Sequence, residues 1–149
     1  MKLPVYLYGH PVLRRISEPV DGQYPDLGKL IDDMQACMYE SEGVGLAAPQ
    51  IGRNIRLIVI DASPLGEDFP ECVGRKMVLI NPELEVLDGE RVSRPEGCLS
   101  LPGLSENVPR VEHIRLKWQD ENFESHDEEI SGFLARIVQH EYEIGRAHV

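Results

Sequence analysis

From Ser131 onward the chain reads as a helix with Phe133, Leu134, Ile137, Val138 and His140 along it. A helix with such an apolar stripe needs a layer to pack on, so this segment restricts the architecture more than any other. It also carries chemistry near its end. Gln139-His140-Glu141-Tyr142-Glu143-Ile144 is the first half of the pattern H-E-x-x-H. In the full pattern two histidines four residues apart share one helix face and hold a metal, and the glutamate beside the first acts as general base. His140 and Glu141 are present, but position 144 is Ile144, which cannot ligate.

The rest of the chain supplies the other elements. Leu27, Leu30, Ile31, Met34 and Met38 recur at helical spacing, which predicts a helix over 26–40 with Asp26 as its N-cap. Cys37 beside that stripe reads as a small core residue. Ile55 to Ile60 is a strand with a mostly apolar run, and Met77 to Ile80 and Leu84 to Leu87 read as short strands split by Asn81-Pro82. Residues 62–75 hold Pro64, Gly66, Pro70 and Gly74 and read as an exposed loop carrying Cys72. Ile114, Leu116 and Trp118 alternate with Arg115 and Lys117, the pattern of a half-buried strand, and 120–122 is a turn. Several short strands and two helices give an α+β domain.

A chain of 149 residues suits one domain with a sizeable core. No stretch approaches the roughly 18 apolar residues of a membrane span. Three cysteines, with no secretory signal visible at the N-terminus, point to reduced thiols in a cytoplasm. A net charge of −11 argues against a nucleic acid bound over a broad face. His10, His113 and His126 have no spaced partners and read as surface or turn residues.

Two further segments stand out. Gly43-Val44-Gly45-Leu46-Ala47-Ala48-Pro49-Gln50 is a glycine-rich loop closing on an amide side chain, and Glu96-Gly97-Cys98-Leu99-Ser100 places a cysteine after a glycine. Together with His140-Glu141, and in this order, they resemble the three signature motifs of the peptide deformylases. The similarity runs from Gly9-His10-Pro11-Val12-Leu13-Arg14 to Tyr142. It implies small antiparallel sheets around a central metal-binding helix. It also implies Cys98, as thiolate, and His140 as metal ligands, with a third histidine where Ile144 stands. Glu141 would be the general base, and Gln50 and the backbone N–H of Leu99 the oxyanion donors, aimed where charge develops on a formyl carbonyl. Val44 and Gly45 would pair with an extended peptide, and Val44, Phe133 and Ile137 would line a pocket for the N-terminal methionine. For Ile137 the alternative of ordinary core stands beside this. Arg136, one turn before His140, is expected to face solvent instead.

The activity so implied is hydrolytic removal of the formyl group from N-formylmethionyl peptides or nascent chains, a step of protein biosynthesis in the cytoplasm. The resemblance suggests Fe(2+), but Cys plus His suits zinc as well, and Ni or Co would also serve. The resemblance also implies the ribosome as a partner of a full-length parent, and neither a membrane nor a direct nucleic-acid site is expected. Where the family continues with Asp-His-Leu and a final helix, this chain has Glu143-Ile144-Gly145-Arg146-Ala147-His148-Val149. These residues carry no amphipathic logic that continues the helix, and they can be encoded by the start of a short-read sequencing adapter. Residues 1–142 are therefore expected to form one catalytic domain incomplete at its C-terminus, with 143–149 a non-native tail. The parent activity is expected to be impaired here. The alternative is a catalytically inactive peptide-binding homologue.

Overall fold

The computed structural model describes residues 17–98 and 101–145, with the side chains of 17–95 and 107–144. Helix α1, Leu27–Glu40, is followed by the short strand β1, Gly45–Ala47, and a 3-10 turn, Ala48–Ile51. Strands β2, Leu57–Asp61, and β3, Lys76–Val86, come next. Strands β4, Arg91–Cys98, and β5, Leu101–Val111, form a hairpin. Strands β6, His113–Gln119, and β7, Ser125–Ser131, lead into helix α2, Gly132–Gly145. One antiparallel sheet has the order β1-β2-β3-β6-β7, and the β4–β5 hairpin is a sheet of its own.

The pleat of the central strands divides the core in two. Ile58 and Ile60 of β2, Met77 and Leu79 of β3, and Ile114, Leu116 and Trp118 of β6 pack with Leu134, Ala135, Ile137 and Val138 of α2. Leu57, Val59, Val78 and Ile80 point to the other face and pack with Leu30, Ile31, Met34, Cys37 and Met38 of α1. Residues i and i+2 of a strand share a face, so one sheet serves both helices. Each buried Leu, Ile or Val contributes about 1.5–3 kcal/mol, and both helices depend on that burial more than on their own propensity.

Several expectations need revision. Asp26 occupies the N-cap position but in the left-handed region, φ 54°, with no side-chain capping bond. The two strands expected around Asn81-Pro82 are one, β3, in which the register against β6 shifts between Ile80 and Glu83, with Asn81 at φ 51°. The segment 62–75 is not simply exposed: Ala62 and Cys72 are fully buried against the α2 face. Residues 143–145 continue α2 rather than leaving it. Ile144 packs on the core, and Glu143 accepts a hydrogen bond from Arg110 at 2.7 Å. No helix among the described residues is long and apolar enough to cross a membrane.

Candidate active site

Helix α2 packs on β1 and on the 3-10 turn behind it, which brings two of the three motifs together. Glu141 is only 6% exposed. Its side chain lies over the bare Cα of Gly45, where a Cβ would fall 2.8 Å from Glu141 Cγ and 3.0 Å from Oε1. Glycine is needed there because the carboxylate side chain fills the space any other residue would occupy. Gln50, 1% exposed, accepts a hydrogen bond at Oε1 from the backbone N–H of Ala47 at 3.0 Å. The carbonyl end of that amide is thus held by backbone, and the NH2 is its donor end.

His140 is half-buried on α2 beside Glu141. Its Nε2 atom and the Oε2 atom of Glu141 are both buried and make no hydrogen bond, and both residues have further interactions. An imidazole with a thiolate is a donor pair suited to a transition metal. Cys98 ends β4, but its side chain lies outside the description, as do both the side chain and the backbone N–H of Leu99. Among the described residues no group of three metal-ligating side chains converges. Ile144, one turn beyond His140, packs against the same core as Ile137. His140, with a buried Nε2 that makes no hydrogen bond, is the one expected ligand among the described side chains, where a catalytic ion usually takes three protein ligands and keeps an open position.

The expected pocket residues occupy different settings. Val44 is half-buried just before β1, packs against the α2 core, and accepts a hydrogen bond at its carbonyl from the Asp61 N–H at 2.9 Å. Gly45 itself is buried. Phe133 stacks on Phe69 with ring centroids 4.4 Å apart, and its N–H donates to Glu71 at 2.7 Å. Ile137 is a core residue. Of the remaining histidines, His126 stacks on Trp118 and lies 2.8 Å from Asp120, and His113 lies 3.5 Å from Glu129. His10 is outside the described residues.

Arg136 does not face solvent. It is 1% exposed and donates to Glu112 at 3.0 Å, to the Val108 carbonyl at 2.8 Å and to the Val92 carbonyl. Burial pushes the Glu112 carboxyl up, but hydrogen bonds from Arg94 and Arg136 outweigh it and hold the group below its ordinary value. The available signal was an arginine placed between Ala135 and Ile137 in an otherwise apolar run.

A sequence profile of the polypeptide deformylase family matches residues 2–145. The chain belongs to the peptide deformylase family. A peptide deformylase of Christiangramia forsetii is 42% identical over 150 residues, spanning 96% of this chain and 76% of that protein. The crystal structure of the peptide deformylase from Thermotoga maritima superposes with a TM-score of 0.88 at 34% identity, covering 100% of this chain and 95% of that one. That from Synechococcus elongatus, in complex with actinonin, gives 0.85 at 36% identity, covering 97% and 74%. The α+β architecture with antiparallel sheets and two helices is the one these deformylases share.

Proposed function

We propose that this site removes the formyl group from the N-terminal formylmethionine of newly made proteins, at a rate held back by Ile144. The observation that carries this is the seating of Glu141 on Gly45, beside Gln50, at the end of the helix that bears His140. Cys98 and His140 would hold the divalent ion, Fe(2+) or one of Zn, Ni or Co. Such an ion supplies a Lewis acid that polarises the formyl carbonyl and makes water more acidic.

The residues of the chain do the rest. Glu141 takes a proton from the attacking water as the oxygen–carbon bond forms. It returns that proton to the amine nitrogen as the carbon–nitrogen bond breaks, releasing formate and a free N-terminal methionine. The Gln50 NH2 and the Leu99 N–H donate to the oxygen on which charge develops. Substrate main chain would pair along Val44-Gly45, with the half-buried Gly43 and Val44 more open to it than Gly45. Val44, Phe133 and Ile137 would face the methionine side chain. The medium would be the cytoplasm, and the substrates N-formylmethionyl peptides or nascent chains. We also propose that residues 143–149 are not native. Resequencing the source locus tests it, and native DNA encoding the same seven residues would sink it.

The apolar packing of Ile144 favours a second reading, a binding module that keeps the peptide groove without turnover. Metal content measured beside formate release from formyl-Met-Ala-Ser separates the two. We expect weakly held, substoichiometric metal, since loss of a ligand should exceed the roughly 10–100-fold cost of losing a residue that only hydrogen-bonds to a ligand. We expect slow formate release that Glu141→Ala abolishes. Peptide binding with no formate release at saturating metal would favour the binding module, and tight stoichiometric metal would remove the impairment.

A further inference from the structure

Among the described residues, the β4–β5 hairpin pairs with no other strand. Between Pro82 and Ile114 the only buried side chain among the described residues is that of Arg110. Apolar burial therefore does little to dock the described part of this hairpin, and polar side chains of α2 take that role. The Arg136 guanidinium donates to the Val92 carbonyl on β4 and to the Val108 carbonyl on β5. Val108 pairs with Arg94 and Val92 with Arg110, so one side chain bridges both strands. The same guanidinium donates to Glu112, which Arg94 of β4 also holds at 2.8 Å. On the following turns Gln139 donates to the Val111 carbonyl at 2.8 Å and Glu143 accepts from Arg110 at 2.7 Å. Residues 136, 139 and 143 are three and four apart, so they share one helix face.

We propose that Arg136 is a positioning residue: it fixes the hairpin that ends in Cys98 against the helix that carries His140 and Glu141. This rests on the deformylase reading of the site. The geometry gives the clamp leverage. Cys98 is six residues beyond Val92, about 20 Å along a strand at about 3.3 Å per residue, so a tilt of about 10° at the clamp moves Cys98 by about 3.5 Å. Metal–ligand distances tolerate about 0.2 Å. Arginine suits the task because its planar fork reaches two carbonyls and a carboxylate at once, which a lysine ammonium on a single point cannot do.

Arg136→Met keeps much of the side-chain stem and removes the fork. In the 149-residue chain, we expect amide hydrogens of β4 and β5 to exchange about tenfold or more faster, the scale of one charged hydrogen bond, while those of β2 and β3 keep their rates. Arg136→Lys should fall between. In the Ile144→His background, Arg136→Met should weaken Co(2+) binding and lower kcat more than it alters KM, because donors rather than the peptide groove are displaced. Glu112→Gln carries the same measurements should Arg136→Met not fold. Hairpin exchange that stays at the parent rate overturns the proposal. So does a rise of equal size in β2 and β3, or a loosened hairpin with unchanged Co(2+) affinity. The exchange measurements need no catalysis. A chain with the predicted local loosening but no formate release under any condition refutes the deformylase reading and leaves the clamp standing.

Discussion

A Cβ at position 45 would fall 2.8 Å from the Cγ of Glu141, inside any real contact distance. Both residues are buried, so neither can step aside into solvent. Gly45→Ala should therefore displace the carboxylate, at the roughly 1–3 kcal/mol typical of overpacking. The expected result is a loss of formate release well beyond the loss of melting temperature, measured in a chain that carries the third ligand. Unchanged kcat/KM would show that Glu141 does not need that seat. His140, Glu141 and Gln50 stood out in the sequence because chemistry restricts the residue types in their motifs, and the structure packs the helix of the first two on the turn that bears the third. The Glu141–Gly45 contact was not, since it joins residues 96 positions apart and no local pattern encodes it. Arg136 was misread because a charged helical residue is by default solvated, and only the tertiary partners Glu112, Val92 and Val108 overrule that.

Helix α2 is held at both ends by long-range polar contacts. Glu71, from the loop over 62–75, accepts from the Phe133 N–H at the helix start, and Arg110 meets Glu143 near its end. The Glu112 network between them is sensitive to acid. Its carboxyl is held below the ordinary 4.5 by Arg94 and Arg136. A depressed carboxyl stabilises the fold fully above pH 4.5, and that contribution is lost as pH falls through the lower folded value. The stability gap between the parent chain and Glu112→Gln should thus shrink as pH falls below 4.5 in urea titrations, and a gap independent of pH would contradict the pairing. The helices and the strands β2 and β6 were readable from periodicity. The β4–β5 hairpin was not, because Pro95, Gly97, Pro102, Gly103 and Pro109 interrupt any strand pattern. Strand β7 escaped because it is a sheet edge with Ile130 as its only buried residue, which leaves no alternation to detect.

One sheet lies between two helices, α2 crosses β1 and the turn bearing Gln50, and the β4–β5 hairpin closes on the same helix. Fold class followed from element order, and the family from three motifs in sequence. What the sequence obscured were the contacts between elements, which are tertiary and mostly polar. Helix α2 continues through Ile144, so position 144 lies one turn from His140 on the same face. Ile144→His would add an imidazole there without rebuilding the backbone, at the cost of the apolar contact Ile144 makes with the core. The most direct measurement is metal content and formate release from formyl-Met-Ala-Ser for Ile144→His and for Ile144→His combined with Glu141→Ala. We predict stoichiometric metal in both, with formate release regained in the first and absent in the second. A repaired chain that holds metal and never releases formate, or one that stays active without Glu141, would contradict the roles assigned here.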